Sequence, residues 1–125
     1  MNTAINQLNE QIIGAAIEVH RDVGPGLLES AYQRALSHEL TLRGLKFEEQ
    51  KLCPIKYKDL VIDDAYRLDF LVSGLVVVEL KAVDALTDVH EEQVLTYLKF
   101  TGCHLGLLLN FNSTTLIKGL RRLAR

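Results

Sequence analysis

The sequence predicts an α/β fold with the element order ααβββαββ, in which helices flank an antiparallel three-stranded meander. Three observations carry that reading. Apolar residues recur at helical spacing through the first third of the chain and are interrupted once, at Gly24-Pro25-Gly26. Strand-like stretches then follow one another with only short turns between them. A capped helical segment finally separates this meander from two further strand-like stretches.

Each element has its own signal. Ile5, Leu8, Ile12, Ala16 and Val19 share one helical face, which predicts a helix over about 3–22 that ends at the Gly-Pro-Gly turn. Leu28, Tyr32, Leu36 and Leu40 recur every four residues, with Ala31 and Ala35 beside them and Gly44 as a stop, so the second helix spans about 27–43. Strands are expected at about 46–58, 65–72 and 75–82, joined by Lys58-Asp59 through Asp64 and by the tight Ser73-Gly74 pair. Thr87 can cap a third helix of about 88–101 that Gly102 terminates. His104–Phe111 and about Thr115–Leu120 return as strands. With no repeat, linker or low-complexity stretch, residues 1–125 are expected to form a single domain.

Composition narrows the function classes. Hydrophobic residues make up 48% of the 125 positions, enough for one core without disulfide or metal staples. A formal net charge of -2 gives no whole-molecule attraction for nucleic acid and leaves only local basic patches to provide it. Cys53 and Cys103 are far apart and lack CxxC spacing, which predicts reduced thiols and no zinc site. The N-terminal MNTAINQLNEQIIG has no basic leader pattern, and no apolar run approaches the roughly 20 residues of a membrane span, so a cytoplasmic protein is expected, with no membrane partner.

The chemistry concentrates in VVVELKA, residues 76–82. Alternation along a strand puts Glu79 and Lys81 on one face with Val77, and Val76, Val78 and Leu80 on the other. A continuous apolar run belongs to a strand covered on both sides. Stability is a poor reason for charges there, since a buried ion pair is often no better than an apolar pair, and losing one partner costs about 3–5 kcal/mol. The plain structural alternative is a strand end emerging into water. Asp69, between Leu68 and Phe70 in the preceding strand, poses the same puzzle next door. Two facing carboxylates repel unless a cation lies between them, and hard oxygen donors suit magnesium or manganese. Beside such an ion, Lys81 can orient the attacking water and neutralise charge developing on a phosphate.

Here the sequence resembles a known family. Asp69, followed in the next strand by Glu79-Leu80-Lys81, is similar to the D…(D/E)xK signature of the PD-(D/E)XK nuclease superfamily. Gly26-Leu27-Leu28-Glu29-Ser30-Ala31-Tyr32 resembles the motif of the GxxExxY proteins, and the segment from His90 to Lys99 adds to the likeness, which spans about Ile12 to Leu123. Leu68 and Arg67 precede Asp69 where the superfamily's name has a proline. The resemblance implies a restriction-endonuclease-like core with a central mixed sheet. It implies Asp69 and Glu79 as direct magnesium (or manganese) ligands, Glu29 as an outer acid acting through a bound water, and Lys81 as the lysine of the motif. Gln93 and Tyr97 lie four apart on one helical face, with His90 three residues before Gln93, so all three could reach the same pocket. Nucleic acid is the implied partner, and two copies of the chain would be needed to cut both strands of a duplex, hence a homodimer.

Competing structural readings attach to several of these residues. Glu29 is favourable near a helix start through the macrodipole alone. Tyr32 falls in the apolar series and reads as core, while His90 and Gln93 also fit a solvated helix face. Lys46, Lys51, Lys56 and Lys58 read as a solvated strand edge or as contacts to a nucleic-acid backbone, and Arg121, Arg122 and Arg125 carry the same ambiguity. His20, His38 and His104 have no evident partners in sequence. Two function classes follow: a metal-dependent phosphodiesterase acting on DNA or RNA, and a catalytically inactive module of the same fold that binds nucleic acid or protein.

Overall fold

The computed structural model describes residues 3–125, and its elements follow the expected order. Helices α1 (Thr3–Val23) and α2 (Glu29–Leu42) precede strands β1 (Phe47–Tyr57), β2 (Leu60–Val72) and β3 (Val76–Lys81). Helix α3 (Asp88–Thr101), strand β4 (Leu105–Asn110), a 3₁₀ turn (Ile117–Gly119) and strand β5 (Leu120–Ala124) complete the chain. No described helix is long and apolar enough to cross a membrane.

The strands form one mixed sheet in the order β1-β2-β3-β4-β5. All neighbours are antiparallel except β3 and β4, whose parallel pairing requires the crossover that α3 supplies. On one face, Ile12, Ala16, Tyr32, Leu36 and Leu40 of α1 and α2 pack against Phe70, Val78, Leu80 and Leu107. On the other, Val94, Tyr97 and Leu98 of α3 pack against Leu68, Val77 and Leu108. Strands β3 and β4 are therefore covered on both sides, which explains why the sequence of β4 is buried at every position. Gly106 sets the depth of α3. A Cβ there would meet Val94 Cγ1 at 2.6 Å, so only glycine lets the helix lie this close to the sheet.

The helices match their expected spans within two residues at each end. The caps explain the precision at α3: Thr87 Oγ1 accepts from the His90 N–H at 3.4 Å, His90 Nδ1 accepts from the Thr87 N–H at 3.0 Å, and Gly102 ends the helix at φ 76°.

Two strands differ from expectation. β2 begins at Leu60 rather than 65, because the chain reverses at once at Lys58-Asp59 with Lys58 at φ 53°. That outer part of the hairpin pairs only with β1, so Asp63 and Asp64 stay in water and do not oppose the strand. β5 lies at Leu120–Ala124 rather than 115–120. Leu116 instead plugs the core, and Gly119 passes so near the Asn110 carbonyl that a Cβ would lie 2.3 Å from it. The chain must turn there before pairing with β4, and Arg121 and Arg122 become exposed positions of an edge strand.

The β1–β2 hairpin also has a corner. Phe70 belongs to the α1–α2 core and Leu68 to the α3 core, although a regular strand would put both on one face. Phe47 and Cys53 on β1 divide the same way. The ladder pairs Glu49 with Phe70 and Lys51 with Leu68, and skips Gln50 and Asp69 between them. The outer hairpin thus swings across to the α3 side.

Candidate active site

The site is built where β2 and β3 separate. Their ladder runs from Val72↔Val76 to Phe70↔Val78 and stops, one position short of Asp69 and Glu79. Side chains take over from there. Glu79 Oε2 accepts from the Asp69 backbone N–H at 2.7 Å, and Asp69 Oδ2 accepts from the Leu80 N–H at 2.8 Å. Each acid thus ties one oxygen to the backbone opposite. Along its other edge β3 stays paired with β4 through Lys81↔Asn110, so the strand that carries Glu79 and Lys81 is held while its inner side opens.

Three further elements close around this fork. From α3, Gln93 Oε1 accepts from Lys81 Nζ at 3.3 Å. From the α1–α2 turn comes Glu29, the first residue of α2. Its place is fixed by Tyr32, whose hydroxyl donates to the Gly24 carbonyl at 2.6 Å and accepts from the Leu27 N–H at 3.1 Å while the ring stacks on Phe111. Tyr32 is core, as its apolar spacing indicates, and also the latch of the glycine loop. From β4, buried Asn110 accepts from the Val83 N–H at 3.1 Å and donates to the Val83 carbonyl at 2.9 Å, pinning the segment that leaves Lys81.

Glu29, Asp69, Glu79, Lys81, Gln93 and Tyr97 line one open cavity of about 410 Å³. Leu52, Asp64, Tyr66 and Arg67 of the swung hairpin form another part of its wall. Tyr66 stacks on Tyr97 with ring centroids 4.9 Å apart. A larger groove of about 720 Å³ runs between α2 and β1, past Arg34, His38 and Glu49. It is bigger but gathers no set of converging acids, so the smaller cavity is where chemistry is supported.

The electrostatics of the cavity are those of crowded acids. Glu79, only 4% exposed, has its pKa raised to about 8, chiefly by burial and then by the charge of Asp69, with the Asp69 N–H and Lys81 opposing. Burial, followed by Asp69, also raises Glu29, and Lys81 pulls it back. The Tyr97 hydroxyl is raised by burial and then by Glu79 and Asp69, against a hydrogen bond with Gln93. Lys81 and Arg67 do not offset the four carboxyl groups of Glu29, Asp64, Asp69 and Glu79 that line the same cavity. Such a site can accept a hard cation, or hold a proton on Glu79. Among the described residues, no three His, Cys, Asp or Glu side chains gather closely enough to hold a metal by themselves.

His90 is the one sequence candidate that does not line the cavity. Its ring caps α3 through Thr87. Gln50, Tyr66, Arg67 and Asn110 belong to the site or its support and carry no signal in a single sequence. Gln50 Nε2 lies 3.4 Å from Asp69 Oδ1, and Gln33 Nε2 donates to Glu49 at 2.9 Å while lying 3.5 Å from the Asp69 carbonyl.

Comparison with curated proteins and with solved structures gives no match. A family model does match, described as the PD-(D/E)XK nuclease superfamily, and it covers residues 6–123, both acid-bearing strands, α2, α3 and most of α1 among them. On that coverage, the chain belongs to the PD-(D/E)XK nuclease superfamily.

Proposed function

We propose that the protein is a metal-dependent nuclease, a phosphodiesterase acting on DNA or RNA with magnesium or manganese. The observation that carries the reading is the fork: Asp69 and Glu79 brought together where the sheet's own hydrogen bonds stop, with Lys81 and Gln93 bonded beside them. The residues fit a hard divalent cation. Their donors are carboxylate oxygens, one oxygen of each acid is free of the backbone bonds, and the burial that chiefly raises Glu79, with the repulsion from Asp69 added to it, is a cost that such an ion would offset. Asp69 and Glu79 would hold the ion directly and Glu29 through a water. With Asp69 and Glu79 as the direct ligands, the remaining coordination would fall to water and substrate, as magnesium prefers. When bound, the ion would polarise the phosphate and acidify a water.

The chain's own groups would do the rest. A water oxygen forms the new bond to phosphorus as the bond to the leaving sugar oxygen breaks. A proton leaves that water for solvent, and another is returned to the sugar oxygen. Lys81 Nζ, held by Gln93, has further N–H donors for a non-bridging phosphate oxygen, where they neutralise developing charge. Tyr97 is a second donor to the substrate. His90 would be at most an outer contact beyond its cap. In the same reading residues 1–125 act as one GxxExxY-type domain in the cytoplasm, where Cys53 and Cys103 stay reduced, and a homodimer would serve cleavage of both strands.

The test is cleavage of labelled single- and double-stranded DNA and RNA in magnesium and in manganese, with EDTA and Lys81→Ala as controls. Metal-dependent cutting that Lys81→Ala reduces by about a hundredfold or more supports the proposal, and equal cutting by that variant removes it. A second reading, a module that binds nucleic acid or protein without cutting it, fits a fork in which buried Glu79 holds a proton rather than facing a cation. Binding without cleavage, indifferent to Lys81→Ala, would establish that reading instead.

A further inference from the structure

Gln50 sits in FEEQKLCPIKY with nothing in the sequence to single it out. Its backbone does. Among the described residues, three that are not glycine have positive φ: Lys58 at 53° and Ser73 at 53° occupy the two tight turns of the meander, but Gln50, at 51°, is inside an eleven-residue strand. A left-handed residue there gives up strand geometry and persists only where its surroundings hold it. Its neighbours Glu49 and Lys51 keep their partners on β2, while Gln50 and Asp69 do not pair. Across that gap Gln50 Nε2 lies 3.4 Å from Asp69 Oδ1, the oxygen left over when Oδ2 accepts from the Leu80 N–H at 2.8 Å.

We propose that Gln50 is a positioning residue for Asp69: its left-handed backbone turns a neutral amide onto the carboxylate oxygen that β3 does not hold. Asp69 is then fixed from both sides, by a backbone N–H of the central sheet at one oxygen and by the edge strand at the other. Gln33, the other amide nearby, reaches the Asp69 carbonyl and Glu49 but makes no bond to the carboxylate. An amide suits this task because it orients the acid without supplying positive charge that would compete with a cation, whereas a lysine or arginine would form an ion pair. The inference rests on the metal reading above, in which the oriented acid is a ligand; partners that orient ligating carboxylates typically change metal affinity by ten- to a hundredfold.

The rival role is purely structural, because the same residue sits at the hairpin corner. Gln50→Gly separates the two: glycine adopts the left-handed conformation freely and keeps the corner, but has no amide. Manganese affinity is measured by calorimetry and folding by the melting temperature without metal. The expected result is a melting temperature equal to or above the wild type's and manganese affinity about tenfold weaker. Gln50→Met, which keeps the side-chain length and lacks the donor, should weaken manganese to the same extent and serves if the glycine variant folds poorly. Unchanged affinity in either folded variant overturns the proposal and leaves the metal site standing. A lowered melting temperature with unchanged affinity assigns Gln50 to the corner alone. No manganese binding by the wild type removes the metal reading and this inference with it.

Discussion

Strand β3 has two unlike edges. Against β4 it pairs at every position from Val76↔Leu105 to Lys81↔Asn110, and against β2 only from Val76 to Val78. The complete edge is covered on both faces, closed by Gly106 below α3 and by Asn110 at its end. The incomplete edge replaces its missing ladder bonds with the side chains of Asp69 and Glu79. A site needs both. The sealed edge fixes where Glu79 and Lys81 stand, and the open one frees carboxylate oxygens and a cavity for a ligand. The arrangement is costly without that ligand, because Glu79 is buried beside another acid.

The largest way to sharpen this contrast is to titrate the open edge. Glu79's folded pKa of about 8 lies above its ordinary 4.5, so the fold favours the protonated form. The stability linked to it is fully present below about 4.5 and is lost as pH rises through about 8, to a ceiling of about 5 kcal/mol since each tenfold change in the proton equilibrium is about 1.4 kcal/mol. Urea unfolding in EDTA should therefore show a less stable protein at pH 8 than at pH 5. Glu79→Gln should flatten that slope, and magnesium should restore the wild type at pH 8. The same slope in Glu79→Gln would break the account of this edge.

The sealed edge responds differently. Leu107→Ala, at a fully buried position of β4, should cost about 2–5 kcal/mol at either pH. A pH-dependent loss there would mean that the two edges are not independent. Asn110→Ala should cost less, about 1–3 kcal/mol, because it strands the half-buried N–H and carbonyl of Val83 and the N–H of Asn112. Hydrogen exchange should locate that loss at Val83, next to the end of β3. Leu52→Ala, 62% exposed on the cavity wall, should change stability by no more than about 0.5 kcal/mol, so any effect on cleavage would report substrate contact.

What the sequence reveals follows the same division. The apolar repeat of Leu28, Tyr32, Leu36 and Leu40, the Gly-Pro-Gly turn and the Thr87–Gly102 caps are local signals, and the helices fall where these put them. Charges in the apolar strands marked Asp69, Glu79 and Lys81, and the cavity gathers these residues with Glu29, Gln93 and Tyr97. The point where the β2–β3 ladder ends is different, since it depends on side-chain oxygens competing with backbone carbonyls across two strands. Gln50 is invisible for that reason: its left-handed φ answers to Asp69, nineteen residues away. His90 illustrates the converse, because a helical repeat puts it in line with Gln93 while the Thr87 cap takes its ring. β5 was displaced by Leu116 and Gly119, whose roles depend on the core and on Asn110 and not on their neighbours in sequence.

The central claim, that the open edge of β3 is a divalent-cation site, is tested most directly by anomalous scattering from crystals soaked in manganese. The account predicts one strong peak in the fork, about 2.0–2.3 Å from carboxylate oxygens of both Asp69 and Glu79, and its loss in Asp69→Asn. A fork without a peak, with Asp69 and Glu79 still bonded to the opposite backbone as they are here, would contradict it.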